Sequence, residues 1–354
     1  MKIGSRQAIL RIKNFSENYK QLHLTGVLFL NSPRKIEWAM GFPSASAFDR
    51  ALRRNKVRLP LGPHSRVVIF SDLHRGIGDE ADNFLHNQAL FETALDHYNR
   101  RRFTYIELGD GDELAENSRF EAIVRSYGRL FRLLDRFQRD GRLYYLVGNH
   151  NLQMGKARWR EKQLAKARML IPGLWEGLAA QESLLLGDKI FLVHGHQADV
   201  LSTFLAPLSR FFMRTIWRFL KNVFGFKNPL SVSQNPRKRR RVEQRILSWA
   251  ASRRMVAVAG HTHRPVFMSL GRQEREAGFE GRPYYFNCGC GVHPRAVTAL
   301  EIEALTIRLV KWRVIADPKD RNRLRVERQV LPGCQRRLPD IFGALNNILG
   351  SLPA

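Results

Sequence analysis

The sequence predicts an α/β fold: a two-sheet β-sandwich flanked by helices, with a helical cap insertion. Short apolar runs rich in β-branched residues recur from residue 65 onward, and each ends in a cluster of Asp, His, Asn and Gly. Between several of these runs, apolar residues return at every third or fourth position, which is typical of helices that pack on a sheet. Strands that alternate with such helices predict a sheet covered on both faces.

Five strands are predicted in the first part of this pattern: Arg66–Phe70, Thr104–Leu108, Leu143–Val147, Lys189–Val193 and Met255–Ala259. Helical spacing of apolar side chains predicts helices over His86–Arg102 and Phe120–Arg139. Three later strands follow without helices between them: Pro283–Asn287, Val297–Ile302 and Thr306–Val314. We expect these later strands to form a second sheet, which completes the sandwich.

The domain organisation follows from where this pattern begins and ends. We predict one domain over residues 63–314, with the helical cap insertion at 197–254. Residues 1–62 form a basic extension with twelve Lys or Arg against three acidic residues, and the sequence leaves their structure open. Residues 315–354 form a C-terminal tail, which is basic up to Arg337 and apolar around Ile341–Leu352.

Charge is the unusual bulk property of the chain. The formal net charge is +27 and the sequence pI is about 10.9, although 44% of the residues are hydrophobic and favour a packed core over disorder. A field of this sign attracts polyanions, and both nucleic acid and an anionic membrane surface qualify.

The compartment is predicted from segments that the sequence lacks. The first twenty residues have no signal-peptide core, and no run of about 18 apolar residues predicts a spanning helix. Cys288, Cys290 and Cys334 are too few for a disulfide framework, and a single C-x-C argues against a structural zinc site. A reducing setting fits best. We therefore expect a cytoplasmic protein, peripheral on the inner face of the membrane if it binds membranes.

Polar clusters follow the five alternating strands: Ser71-Asp72-Leu73-His74, Gly109-Asp110-Gly111-Asp112-Glu113, Gly148-Asn149-His150-Asn151, His194-Gly195-His196 and Gly260-His261-Thr262-His263. The carboxyl ends of strands are where ligands bind in open α/β sheets, so these side chains are expected to converge. Asp, Asn and His without thiolates suit Mn, Fe or Zn. One such cluster is more often a helix cap or a core histidine, but five in order favour a metal site.

The order of these motifs resembles that of the calcineurin-like metallophosphoesterases, over roughly residues 64 to 314. The resemblance implies a β-sandwich with two divalent metal ions, Mn before Fe or Zn, and hydrolysis of a phosphoester or phosphoanhydride bond. It further implies that Asp72, His74 and His263 hold one ion, that Asn149, His194 and His261 hold the other, and that Asp110 bridges them. His150 is then a catalytic residue near the substrate phosphate rather than a ligand. Two such ions stabilise both the attacking and the leaving oxygen.

Two positions depart from the family pattern. Asn151 stands where the family has Asp after the Asn-His pair, and an amide favours a charged His150 less than a carboxylate does. Cys290 stands at the Ser position of the family's Asn-x-Gly-Ser turn. We assign Cys290 no catalytic role, because nothing near it in sequence predicts a low thiol pKa.

The insertion bears on the substrate. Arg210, Arg214, Arg218 and Lys221 recur at helical spacing beside an aromatic and aliphatic face, which fits a helix in a membrane interface or a core-packed cap helix with a solvated basic face. The run Arg237–Arg241 is predicted to be an exposed loop.

The spacing of motifs and insertion resembles the UDP-2,3-diacylglucosamine diphosphatases, which implies a lipid-linked nucleotide sugar as substrate. The alternative is a phosphodiesterase or nuclease that acts on nucleic acid, drawn by the net positive charge. A non-catalytic scaffold is a third class, but all seven predicted ligands are present in the sequence.

Overall fold

The computed structural model describes residues 45–199, 232–276, 281–318 and 323–347. The chain divides into two compact units, Met1–Ser46 and Ala47–Ala354, and the second contains all of the elements that position the site. The basic residues of the insertion, Arg210, Arg214, Arg218 and Lys221, lie outside the described residues.

A seven-stranded sheet carries three of the five polar clusters. Its strands are β2 (Arg66–Phe70), β3 (Thr104–Leu108), β4 (Leu143–Leu146), β5 (Ala180–Gln181), β10 (Ala296–Glu303), β11 (Thr306–Ala316) and β12 (Leu324–Arg337). The strand order is β12-β11-β10-β2-β3-β4-β5. Strands β2, β3, β4 and β5 pair with their neighbours in parallel, whereas β10, β11 and β12 continue the sheet from β2 in antiparallel pairing.

A five-stranded sheet carries the other two clusters. Its strands are β1 (Arg58–Leu59), β6 (Ser183–Leu186), β7 (Ile190–Val193), β8 (Val256–Ala259) and β9 (Tyr285–Asn287). The strand order is β1-β6-β7-β8-β9, and β7, β8 and β9 are parallel.

Helices cover the outer faces of both sheets. Of the helices in the described part of the chain, α1 covers residues 45–54, and the others are α2 (Gln88–Arg100), α3 (Phe120–Ser126), α4 (Gly128–Arg139), α5 (Ala157–Arg168), α6 (Pro236–Arg253), α7 (Arg272–Glu276) and α8 (Leu338–Asn347). Within those ranges, no helix combines the length and the apolar character needed to cross a membrane.

The strand alternation of β2 explains how the layers pack. Val67 and Ile69 point into an apolar cluster shared with the five-stranded sheet, whereas Val68 and Phe70 point into a second cluster beneath the helices α2 to α5. Successive side chains of a strand face opposite sides of a sheet, so a strand buried on both faces reads as a continuous apolar run. The predicted α/β sandwich is confirmed.

The prediction that the late strands form a second sheet of their own is wrong. Strand β9 joins β7 and β8, but β10 pairs with β2 and extends the first sheet. Periodicity predicts that a segment is a strand, but distant pairing decides which sheet it joins. The predicted helix over Phe120–Arg139 is also two helices, because Tyr127 leaves the helical conformation before Gly128 begins the second.

The run Arg237–Arg241 is helical, so the predicted loop is wrong. It opens α6, where Pro236 occupies the first turn and the side chain of Asn235 accepts a hydrogen bond from the backbone N of Lys238 at 3.0 Å. Proline in the first turn and asparagine as N-cap are strong helix starts. Exposed charge alone does not separate a loop from the solvent face of a helix.

Segments on both sides of the predicted domain share its core. Phe48 and Ala51 are fully buried in the apolar cluster that β2 shares with the five-stranded sheet, and Ile341 and Leu345 of α8 belong to the same cluster. Phe48 packs on Trp249 of α6 with ring centroids 5.3 Å apart. The divisions at residues 62 and 314 stay predictions about sequence organisation.

Candidate metal centre

The five polar clusters converge where parallel strands of the two sheets end. Each side chain follows its strand within four residues: Asp72 and His74 after β2, Asp110 after β3, Asn149 and His150 after β4, His194 after β7, and His261 and His263 after β8. Contacts between loops of different sheets bring these side chains together. For example, His194 Nε2 lies 3.9 Å from Asp72 Oδ1.

Asp72, His74 and His263 form a group with metal-ligand spacing. Their ligand atoms lie within 4.8 Å of one another. His263 Nε2 is 3.1 Å from Asp72 Oδ1 and 3.2 Å from His74 Nε2, and His74 Nε2 is 3.8 Å from Asp72 Oδ1. The same three residues are those that the family resemblance groups around one ion.

A second group consists of Asp110, His194 and His261, all buried and again within 4.8 Å of one another. His194 Nε2 lies 3.0 Å from Asp110 Oδ2, while His194 Nδ1 hydrogen-bonds with the carbonyl oxygen of Leu108 at 2.9 Å. That backbone contact fixes the ring and directs Nε2 at the carboxylate.

Several buried ligand atoms lack hydrogen-bond partners. Asp72 Oδ1, Asn149 Oδ1, His194 Nε2 and His261 Nε2 are buried and make no hydrogen bond of normal geometry among the described residues. Asp72 Oδ1 and His194 Nε2 still lie at ion-pair distance from His263 and Asp110, at 3.1 Å and 3.0 Å. Asp72 Oδ2, in contrast, accepts from Ser71 Oγ at 2.7 Å and from the backbone N of His261 at 2.8 Å. Unpaired buried polar atoms are costly, and four in one place fit donors to a divalent ion. Their nitrogen and oxygen chemistry suits Mn, Fe or Zn.

The backbone at this site is strained. Asp72, His74, Asp110, His261 and His263 all have positive φ, between 51° and 67°. This left-handed region is uncommon for residues other than glycine, and such residues concentrate at functional sites.

Two glycines allow the loops to approach the carboxylates. A Cβ at Gly148 would lie 2.1 Å from Asp110 Oδ1, and a Cβ at Gly260 would lie 2.4 Å from Asp72 Oδ2. Any side chain at either position would displace a predicted ligand. The glycines next to Asn149 and His261 are therefore part of the site.

Electrostatics keep the carboxylates charged. Burial alone would raise the pKa of Asp110, but the charges of His194 and His150 hold it well below its ordinary value. Burial likewise opposes a charged His263, yet Asp72 raises the pKa of that imidazole to about 9. The site is thus a dense set of opposite charges in a desolvated setting.

Glu113 joins a predicted ligand to the predicted catalytic residue, a role that the sequence interpretation missed. Nδ1 of His74 is 2.7 Å from Glu113 Oε2, and Nδ1 of His150 is 2.8 Å from Glu113 Oε1. Burial disfavours a charged His150, but Glu113 and Asp110 outweigh it and raise the pKa of His150. Its place three residues after Asp110, in Gly-Asp-x-x-Glu, was the available signal.

The sequence comparison considers Asn151 only for its effect on the charge of His150, but in the structure its side chain contacts other groups. Its Oδ1 accepts from the backbone N of Gly148 at 2.6 Å, and its Nδ2 donates to the Tyr145 hydroxyl at 2.8 Å. The residue therefore shapes the loop that carries His150, while the carboxylate partner of His150 comes from Glu113.

The expectation that the thiol of Cys290 has no lowered pKa is wrong, although a lowered pKa alone does not give Cys290 a catalytic role. Burial would raise the pKa of this thiol, but hydrogen bonds with His263 and His293 lower it to about 6. Both histidines are close in space, and His263 is distant in sequence, so inspection of the neighbouring residues underestimates the effect.

Comparison with known proteins places the chain in a family. Residues 65–265, more than half of the sequence, match the calcineurin-like phosphoesterase family. No curated protein matches the sequence significantly. Among solved structures, a protein serine/threonine phosphatase from Saccharomyces cerevisiae, described as similar to human phosphatase PP5, matches at 14% identity with a TM-score of 0.32, covering 89% of this chain and 95% of that one. From the family match, the chain belongs to the calcineurin-like phosphoesterases and is a metal-dependent phosphoester hydrolase.

Proposed function

We propose that the chain hydrolyses its substrate with two divalent ions held by seven side chains: Asp72, His74, His263, Asn149, His194, His261 and the bridging Asp110. The observation that carries this proposal is the convergence of two groups of ligand atoms, those of Asp72, His74 and His263 and those of Asp110, His194 and His261, each group within 4.8 Å. Manganese is the proposed ion, with iron and zinc as alternatives, because the donors are imidazole nitrogens and carboxylate or amide oxygens.

The residues of the chain orient the reaction and supply a proton. When bound, the two ions would polarise the phosphoryl group and activate a water nucleophile. The backbone N of His150 donates to Asp110 Oδ1 at 2.8 Å, and Glu113 holds Nδ1 of the same ring. Nε2 of the same ring would then face the substrate and protonate the leaving oxygen. The side chain of His150 is 26% exposed, which fits contact with a substrate.

Metal loading with parallel activity measurement tests this reaction class. Metal-free protein is titrated separately with Mn²⁺, Fe²⁺ and Zn²⁺, and hydrolysis of bis-p-nitrophenyl phosphate is followed. Two ions bound per chain and activity that appears with them support the proposal. Activity that persists in metal-free protein would contradict it.

For the substrate, we propose a lipid-linked nucleotide sugar, cleaved at its diphosphate by a cytoplasmic protein that is peripheral on the inner face of the membrane. Arg237, Arg240 and Arg241 are exposed on α6 at helical spacing and form one basic face. On the same helix, Lys238 Nζ is 2.8 Å from Asp199 Oδ2, which is 3.8 Å from His261 Nε2. The basic helix thus adjoins the candidate metal centre, and its charge complements a diphosphate or anionic headgroups.

Substrate choice and membrane binding have separate tests. Bis-p-nitrophenyl phosphate, a lipid-linked nucleotide sugar and single-stranded DNA are compared as substrates of the loaded protein. The variant R237Q/R240Q/R241Q is compared with wild type for co-sedimentation with vesicles containing anionic phospholipid. Preference for the lipid-linked substrate and weaker vesicle binding of the variant support the proposal. Preference for DNA would favour the nuclease alternative instead.

A further inference from the structure

Helix α6 contacts both loops that carry histidines from the five-stranded sheet. Toward the loop after β7, Arg245 Nη1 donates to the carbonyl oxygen of Ala198 at 2.8 Å, and Lys238 Nζ pairs with Asp199. Toward the loop after β8, Glu243 contacts Thr262 and Arg264. This helix is the last part of the predicted insertion, and it contacts the loops of the candidate metal centre at several points.

Glu243 makes the most enclosed of these contacts. Its side chain is buried, and its Oε1 accepts from Thr262 Oγ1 at 3.1 Å and from Arg264 Nε at 3.0 Å. Its Oε2 accepts from Arg264 Nη2 at 2.5 Å. A buried carboxylate with charge-assisted and hydroxyl partners has a fixed position, because each lost partner would leave a desolvated charge.

Thr262 transmits that position to the histidines on either side of it. Its hydroxyl also accepts from Asn287 Nδ2 at 3.2 Å, and its backbone N donates to the carbonyl oxygen of Gly260 at 2.8 Å. His261 and His263 flank it in left-handed conformations, with φ of 67° and 56°. A strained backbone conformation at both His261 and His263 needs contacts from outside the loop to persist. The side chain of Thr262, between them, supplies such a contact with α6.

We propose that Glu243 is a positioning residue that holds His261 and His263 in their metal-binding geometry through the hydroxyl of Thr262. The inference rests on the proposed metal site and extends it to the insertion. Partners behind metal ligands orient the ligand side chains, and their removal typically lowers metal affinity about 10- to 100-fold. A purely structural salt bridge between α6 and the loop would instead change stability without changing affinity for the ions.

Thr262 and Glu243 variants separate these two roles. T262V removes the hydroxyl at nearly constant shape, T262S keeps the hydroxyl, and E243Q removes the charge. The matched control is E274Q, because Glu274 Oε2 also pairs with Arg264, at 3.5 Å, but Glu274 is 43% exposed and makes no contact with Thr262 among those described. Mn²⁺ affinity and stoichiometry are measured by calorimetry and elemental analysis, and the thermal midpoint of each metal-free protein is recorded.

We expect T262V and E243Q to bind Mn²⁺ about 10- to 100-fold more weakly than wild type at one or both sites, and T262S and E274Q to bind within about twofold. The double variant T262V/E243Q should lose less than the product of the single losses, because both remove one connection.

Wild-type affinity in folded T262V and E243Q would overturn the inference while leaving the metal site intact. Wild-type protein that binds no ion would overturn both the metal proposal and this inference. Should E243Q fail to fold, the comparison of T262V with T262S still decides the outcome.

Discussion

Replacing Glu113 by Gln tests the link between a predicted ligand and the predicted acid. Each carboxylate oxygen of Glu113 holds one imidazole: Oε2 is 2.7 Å from His74 Nδ1 and Oε1 is 2.8 Å from His150 Nδ1. Both nitrogens can donate to a carboxylate. Glutamine offers one acceptor oxygen and one donor nitrogen, so it satisfies one ring and presents a donor to the other.

The size of the loss follows from that single contact. A hydrogen bond to a charged group contributes about 1.5–3 kcal/mol, and about 1.4 kcal/mol corresponds to a tenfold change. We therefore expect E113Q to lower kcat/KM by roughly ten- to a hundredfold. If His150 loses its partner, the loss should be larger for substrates with poor leaving groups, which need the proton most. If His74 loses its partner, metal affinity should fall as well.

Kinetics with a series of aryl phosphodiesters, together with elemental analysis of the purified protein, separate these outcomes. E92Q is a suitable control, since Glu92 pairs with Arg129 and Gln88 rather than with a histidine. E113Q that retains both kcat/KM and metal content within about twofold of wild type would refute the reasoning, because the buried carboxylate would then contribute to neither ring.

Further changes act on other parts of the site. D110A should lose turnover with every substrate, because it removes the proposed bridge; activity within a few-fold of wild type at full metal loading would rule out that bridge. H150A should keep its metal content but slow the chemical step by about 10²-fold or more, and loss of an ion would make His150 a ligand instead. G148A should inactivate the protein and destabilise it by about 1–3 kcal/mol, since the new Cβ would lie 2.1 Å from Asp110 Oδ1; an active G148A would mean that the loop relaxes freely. Chelation should lower the thermal midpoint, because at a free ion concentration of 100 Kd binding contributes about 2.7 kcal/mol per site; equal midpoints in chelator and in Mn²⁺ would contradict metal binding.

Sequence periodicity predicted individual strands well, because the apolar pattern of a buried strand is contained in that strand's own residues. The predicted bounds of Arg66–Phe70 and Thr104–Leu108 agree with the structure at both ends. It did not predict β12, because Pro332 and Gly333 resemble a turn. In the structure this pair lies inside the strand, opposite the register shift between Arg308 and Val310 of β11, and Gly333 has a φ of 67°. A bulge and a turn use the same residues, and only strand pairing separates them.

The candidate site also combines features that the local sequence predicts with contacts that it does not predict. The predicted ligands follow the ends of five strands within four residues, so the sequence places Asp72, Asp110 and His194 at one edge of the fold, and the family resemblance implies their role as ligands. The contact between Glu113 and His150 joins two loops 37 residues apart, and the contact between Glu243 and Thr262 joins a helix to a loop. Such contacts depend on how the elements dock, which the local pattern of residues does not encode.

The strained residues explain why these docking contacts matter to function. Left-handed backbone costs roughly 1–2 kcal/mol for a residue with a side chain, and Asp72, Asp110 and His261 adopt it at the ends of three different strands. None of the three can be held by its own strand, because the ladder has ended there. Hydrogen bonds from neighbouring loops hold them instead: the backbone N of His261 donates to Asp72, and that of His150 donates to Asp110. Each loop therefore depends on the next for its conformation, so a change in one loop should alter ligand geometry in another before it unfolds the sheets.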